Sequence, residues 1–205
     1  MRTLPLRLVL LATAASLASL ALAAGAYACA CCAVAGTWAQ TTAPVASHEL
    51  AELGRLRFGV AANTFFTAAG EDAVRGIDPV ASRYRVTQAR SGRRWTLTLR
   101  DSAGNSGTLR FSIPTRASRL DVDVRDGRRS AGGGPLLYRE WRLEGAVAGT
   151  GIFANGTSRP ARFRLILQGR GNACMNGADF RSWILQVRGP RADYGLFGGF
   201  AKISP

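Results

Sequence analysis

The strongest constraint on the fold of this chain is an alternation of apolar and polar residues from about residue 84 to residue 187. A period of two places successive side chains on opposite faces of a β-strand, so that one face is buried and the other is solvated. The apolar members of seven such runs are Tyr84 and Val86; Trp95, Leu97 and Leu99; Leu109, Phe111 and Ile113; Leu120, Val122 and Val124; Leu137, Trp141 and Leu143; Phe163, Leu165 and Leu167; and Trp183, Leu185 and Val187.

Turn-forming residues separate these runs, and no long helical pattern lies between them. The turn dipeptides are Ser91-Gly92, Gly104-Asn105, Asp126-Gly127, Asn155-Gly156 and Gly189-Pro190. Residues 147–153 and 194–200 add two candidate strands, for a total of eight or nine. The sequence therefore predicts an all-β fold in which an antiparallel up-and-down meander closes into a barrel, with a two-sheet sandwich as the alternative.

One short α-helix is predicted before the strands, at about residues 47–56. Ser47 is a suitable N-cap, and Glu49 and Glu52 occupy the first turns, where the helix dipole favours acidic side chains. Leu50 and Leu53 share one face at helical spacing.

The amino-terminal segment predicts export. A basic start precedes an apolar segment over residues 8–24, and Ala26-Tyr27-Ala28 places small residues at the −3 and −1 positions of a cleavage site. We therefore divide the chain into a signal peptide (1–28), a cysteine-bearing extended leader (29–46) and a single barrel-like domain (47–205). The predicted location is secreted or periplasmic, in a bacterial envelope, and the alternative is an uncleaved anchor. No later apolar stretch approaches the roughly 20 residues of a membrane helix.

The charge of the chain favours an anionic partner. The formal net charge is +14, and removal of Arg2 and Arg7 with the signal leaves +12. Lys202 is the single lysine among 27 basic residues, a bias that GC-rich coding also explains. An anionic envelope component or an acidic small molecule fits the excess of arginine. Nucleic acid is not expected as a partner, because no nucleic-acid-binding motif is present.

The four cysteines allow three interpretations. An even number in an exported chain favours a disulfide between Cys174 and one of Cys29, Cys31 and Cys32, since bridges within the cluster are strained. Alternatively, the four thiolates bind copper or zinc, with His48 or Met175 as further candidate ligands. The third interpretation is lipidation of Cys29, which Tyr27 at the −2 position disfavours.

No catalytic constellation is apparent in the sequence. His48 is the single histidine and falls on the predicted helix, and no G-x-S-x-G or H-E-x-x-H motif occurs. Asp121 and Asp123 lie on the same side of one strand, which its solvated face explains. The sequence therefore predicts a protein that is not an enzyme.

Arg139 and Trp141 are the candidate ligand-binding residues. Arg139 has the parity of the apolar residues around it, so it is predicted to point inward, where a guanidinium binds a ligand carboxylate or lies at the barrel rim. Gly132-Gly133-Gly134 is interpreted as a flexible loop beside a barrel mouth, and not as a phosphate loop, because a strand follows it. Asn155-Gly156-Thr157 matches a glycosylation sequon, but a hairpin turn is the preferred interpretation.

Taken together, these features predict an exported, non-catalytic binding module that holds an apolar or anionic small molecule in its barrel. One alternative is a periplasmic copper- or zinc-handling protein that uses the cysteine cluster. Another is an envelope lipoprotein or structural protein. The sequence does not select a ligand or an oligomeric state.

Overall fold

A computed structural model describes residues 33–66 and 73–202, and within these residues it has ten β-strands and one α-helix. The helix α1 spans Ser47–Arg55, close to its predicted position. The strands are β1 (Trp38–Pro44), β2 (Ala61–Thr64), β3 (Arg83–Ser91), β4 (Arg94–Arg100), β5 (Ser106–Ser112), β6 (Arg116–Val122), β7 (Leu137–Gly151), β8 (Ala161–Gly171), β9 (Phe180–Gly189) and β10 (Ala192–Gly199). A single turn of 3-10 helix, Gly177–Asp179, precedes β9.

All strand pairings are antiparallel, and eight of the strands close into a barrel. The order around the barrel is β7-β5-β4-β3-β2-β10-β9-β8, and β8 pairs again with β7. The remaining two strands, β1 and β6, extend the sheet from β7. The predicted all-β barrel with one short helix is therefore confirmed.

Strand β7 belongs to both the barrel and its extension. It is 15 residues long, and its first part pairs with β6 through residues 138–142, whereas its last part pairs with β5 through residues 147–151. The sequence predicted two separate runs here. Gly145 lies between the two parts, and a Cβ at this position would lie 3.0 Å from the Phe163 ring, so a larger residue would require that ring to move.

The barrel interior is packed with the apolar side chains that the alternation predicted. Trp95, Trp183, Leu165 and Leu109 are each at most 1% exposed. Aromatic rings contact one another inside the barrel, and the Phe111 and Phe163 centroids, on the two strands that flank β7, are 4.6 Å apart. Burial of these side chains is the main source of stability for such a fold.

Helix α1 closes one end of the barrel, which we call the α1 end. Leu53 and Leu56 are fully buried against the core. The prediction that Ser47 is the N-cap was wrong, because Ser47 is the first helical residue and Ala46 occupies the cap. The Glu49 carboxylate accepts the Ala46 N–H at 2.9 Å, which is the acidic half of a capping box, and the N-cap side chain makes no capping hydrogen bond.

Strand β6 has the opposite orientation to the one its sequence predicted. Leu120 and Val122 were expected to face the core, yet the core contains Ala117, which has the parity of Arg119 and Asp121. The reversal follows from charge pairing, since the two charged residues meet buried partners on β7 and α1. Among residues 33–66 and 73–202, no helix has the length and apolar composition needed to span a membrane.

Candidate functional site

Arg139 lies at the α1 end and is 1% exposed, which agrees with its predicted inward direction. Its Nε donates to Asp121 Oδ1 at 2.9 Å, and Nη1 lies 3.4 Å from Asp179 Oδ2. The remaining guanidinium hydrogen bonds go to the carbonyl oxygens of Asn172 and Cys174. The guanidinium therefore holds three segments of the chain together: β6, the loop after β8, and the 3-10 turn.

Two carboxylates share this arginine, and their environments differ. Burial raises the pKa of Asp179, although the positive charges of Arg139 and Arg181 act in the opposite direction. Asp121 lies directly opposite Arg139 in the β6–β7 ladder. The Arg139 cluster, which we define as Arg139, Asp121, Asp179 and the two carbonyls, is thus a buried polar network of the fold.

Trp141 lies beside this cluster and is 2% exposed. The Arg119 guanidinium carbon is 4.5 Å from the Trp141 ring centroid, a cation–π geometry. Arg119 also donates to Glu49 at 2.6 Å, which ties β6 to α1. Both predicted ligand residues, Arg139 and Trp141, are therefore in contact with the chain's own groups, and their role in ligand binding stays a prediction.

Cys174 lies on the loop between β8 and the 3-10 turn. Cys29, Cys31 and Cys32 are outside the described residues, so the predicted disulfide and the predicted copper or zinc site both stay predictions. Within the described ranges, no group of three or more histidine, cysteine, aspartate or glutamate side chains is arranged to hold a metal ion. His48 is exposed on α1.

The described chain begins near the same end of the sheet as Cys174. The carbonyl oxygen of Ala33 would lie 2.0 Å from a Cβ at Gly134, so only glycine permits this approach of the two backbones. Leu137, three residues later, pairs with Gly171 at the end of β8. The leader and the Cys174 loop therefore approach the same end of β7.

An open groove of about 680 Å³ lies between the start of the described chain and the loop that joins β6 to β7. Its lining includes three arginines, Arg125, Arg128 and Arg129, together with Gly133 and Gly134 of the glycine-rich loop. We call it the arginine groove. The structure thus places the glycine-rich loop at this end of the molecule, where the sequence predicted a loop beside a barrel mouth.

The backbone at Arg125 is strained. Its φ of 51° is the one positive φ of a non-glycine residue in the described chain. Such a conformation costs of order 1–3 kcal/mol and is frequent at ligand-binding sites. Asp123 helps to hold it, because its carboxylate accepts the N–H groups of Arg125 and Gly36, each at 2.8 Å. These two backbone bonds lower the pKa of Asp123.

The acidic residues beside the groove do not neutralise all of its arginines. Asp126 accepts a hydrogen bond from Arg170, and this bond with further ones lowers the pKa of Asp126 to about 2. The Arg128 Nε atom lies 3.5 Å from Asp126 Oδ2. Arg129 donates to the carbonyl oxygen of Gly133, and within the described chain neither Arg125 nor Arg129 forms an ion pair. The Asp123 carboxylate interacts electrostatically with Arg125, so the groove keeps a net positive charge, most directly at Arg129.

Sequence reasoning did not identify the arginine groove. Arg125, Arg128 and Arg129 flank the Asp126-Gly127 turn, where the strand periodicity stops and no pattern indicates direction. The density of arginine between Val124 and Ser130 was a usable signal, but the same bias extends along the whole chain.

Comparison with known proteins adds no functional assignment. No protein-family model matches the chain, and no curated protein and no solved structure is significantly similar to it.

Proposed function

We propose that this chain is an exported, non-catalytic binding module that takes an anionic small molecule in the arginine groove. The observation that carries the proposal is the concentration of three guanidinium groups around one concave surface, with strained backbone at Arg125. Guanidinium groups bind carboxylate and phosphate with paired, charge-assisted hydrogen bonds. The barrel interior is filled with side chains, which favours a ligand on the outer surface.

An exposed tryptophan near the groove provides a reporter for binding. Trp38 is two residues after Gly36, which lines the groove, and its side chain is 67% exposed. The other three tryptophans are at most 2% exposed. We expect inorganic pyrophosphate or citrate to change the fluorescence of Trp38 as the groove is occupied. The affinity should fall as the salt concentration rises, because the attraction is electrostatic.

The decisive variant replaces the two groove arginines that form no ion pair within the described chain, Arg125→Ala with Arg129→Ala. Loss of two charged contacts should weaken pyrophosphate binding by at least about tenfold. The matched control, Arg159→Ala with Arg181→Ala, removes the same charge from exposed positions elsewhere. Equal losses in the two double variants would show non-specific attraction and reject the groove as the site.

Export and the disulfide are part of the same proposal. The approach of Ala33 to Gly134, and of Leu137 to Gly171, supports a bridge from Cys174 to the cysteine cluster. Intact-mass measurement of protein exported by a bacterial host should give a chain that begins at Cys29 and lacks two hydrogens per disulfide. A chain that begins at Met1 with all thiols reduced would refute this part of the proposal.

A further inference from the structure

A second group of arginines lies on the outer face of the barrel, at the end opposite α1. Arg85 on β3 is directly opposite Arg100 on β4, and Arg83 follows on the same face two residues away. All three side chains are exposed. We call this group the arginine triad.

The neighbours of the triad in the sheet are neutral. Arg85 pairs on its other side with Ala61, Arg83 pairs with Asn63, and Arg100 pairs with Ser106. Within residues 33–66 and 73–202, no carboxylate forms an ion pair with any of the three arginines.

The acidic residue nearest to the triad in sequence, Asp101, accepts hydrogen bonds from Asn105. Both oxygens of Asp101 accept hydrogen bonds from Asn105, from its side chain and its backbone N–H, each at 2.8 Å. These bonds, with the side-chain bond as the largest contribution, lower the pKa of Asp101. Its carboxylate is therefore oriented toward the β4–β5 turn but stays negatively charged at the edge of the triad. Within the described residues, three arginines thus share this surface with one carboxylate, and their net charge is positive.

A second pair of facing arginines in the barrel has acidic residues nearby. Arg162 on β8 is directly opposite Arg188 on β9. There Arg188 lies 3.7 Å from an Asp193 oxygen, and Arg164, next on the same face of β8, donates to Glu144 at 2.6 Å. Like charges directly opposite one another destabilise a sheet. Within the described residues, none of the triad arginines forms an ion pair like the one between Arg188 and Asp193.

We infer that the arginine triad is a second binding site, separate from the arginine groove, for a phosphate-type oxyanion that carries at least two negative charges. The surface between these strands is a groove of about 650 Å³, whose polar lining includes all three arginines, Ser82, Ser102 and the single carboxylate Asp101. The bound anion supplies the negative charge that the neighbouring strands lack, and the serine hydroxyls are suitable donors to its oxygens. The triad is level with the last residues of β7, because Arg100 pairs with Ser106 and Gly107 pairs with Gly151, whereas the arginine groove adjoins the loop before β7.

The test is a titration of the full exported chain with inorganic pyrophosphate, in which NMR monitors the backbone amides. We expect chemical-shift changes of the β3 and β4 amides in the wild type. In Arg85→Thr with Arg100→Thr, the dissociation constant measured at these amides should be at least tenfold larger. The matched control is Arg162→Thr with Arg188→Thr, which should change that constant less than about twofold. Urea unfolding supplies a second readout, because relief of repulsion should raise the midpoint of the triad variant.

A parallel measurement distinguishes the source of the anion. Phosphatidylcholine vesicles with and without phosphatidylglycerol are sedimented with each variant, so that binding of lipid phosphate can be compared with binding of free pyrophosphate. Selective loss in the triad variant, in either assay, supports the site. Equal losses of binding in the triad and control variants overturn the proposal. It is also overturned if the titration gives no shifts at β3 and β4 and vesicle binding does not depend on the triad. Because Arg125→Ala with Arg129→Ala affects only the arginine groove, failure of that proposal is measured separately.

Discussion

The barrel interior and the Arg139 cluster are both buried, but different interactions hold them together. The interior around Trp183 and Leu165 is apolar, so its stability comes from the surface removed from water and from close packing. The Arg139 cluster is polar, so its stability depends on whether each buried donor and acceptor has a partner. The comparison teaches that equal burial does not mean equal sensitivity: the interior should respond to side-chain volume, and the cluster to charge.

The largest effect is expected from a change of volume in the interior. Trp183→Ala removes a ring that contacts Phe58 at 5.1 Å between centroids and whose Nε1 donates to the Gly199 carbonyl at 3.0 Å. We expect the free energy of unfolding to fall by about 3–5 kcal/mol, measured by urea denaturation. Trp38→Ala, on an exposed side chain, should change it by no more than about 0.5 kcal/mol.

A slightly smaller effect is expected from removing the charge at the α1 end. Arg139→Met keeps much of the side-chain volume but leaves Asp121, Asp179 and two carbonyls without their donor. Breaking a buried pair costs about 3–5 kcal/mol, and the lower limit is expected here because both aspartates are about one-fifth exposed.

The control for this variant is an ion pair on the surface. Arg164→Met breaks the contact with Glu144, in which both side chains are nearly half exposed, and should cost at most about 1 kcal/mol. If Arg139→Met is as mild as Arg164→Met, the Arg139 cluster does not stabilise the fold, and the contrast with the interior is lost.

The smallest effect concerns Glu140, on the outer face of β7. Burial acts to raise its pKa, but hydrogen bonds from Tyr138, Arg142 and Gln168 outweigh burial and lower the pKa below the usual 4.5. A carboxyl whose pKa is lowered by folding stabilises the protein above its unfolded pKa and loses that contribution as the pH falls through the folded pKa.

Glu140→Gln should therefore cost about 1 kcal/mol at neutral pH, and the difference from wild type should shrink as the pH falls below about 4.5. Urea unfolding of both proteins across this pH range measures it. A difference that stays constant with pH would show that the carboxylate charge does not contribute.

The alternation of residues predicted most of the barrel, because each of those strands has one buried and one solvated face. Two strands were not predicted from the sequence, and each has a physical reason. Strand β1 is largely exposed on both faces, so Trp38–Pro44 shows no alternation and was interpreted as an extended leader. Strand β2 has only four residues, Ala61–Thr64, too few to establish a period.

The candidate site was less predictable than the fold. The inward direction of Arg139 followed from its parity, whereas its partners come from segments 18 to 40 residues away in sequence. The arginine groove and the arginine triad depend on which strands become neighbours. Local patterns do not contain that information, since the pairing of Arg85 with Arg100 is visible only once the register is known.

The position of the leader has a mechanical consequence. The leader enters the sheet at β1, which is connected to the rest of the molecule through seven pairs with β6 and the Thr37–Asp123 backbone hydrogen bond. A covalent link from the leader to Cys174 would add a second connection, to the loop after β8, a strand that forms 11 pairs with β7. Tension on the leader would then act on β8 as well as on β1.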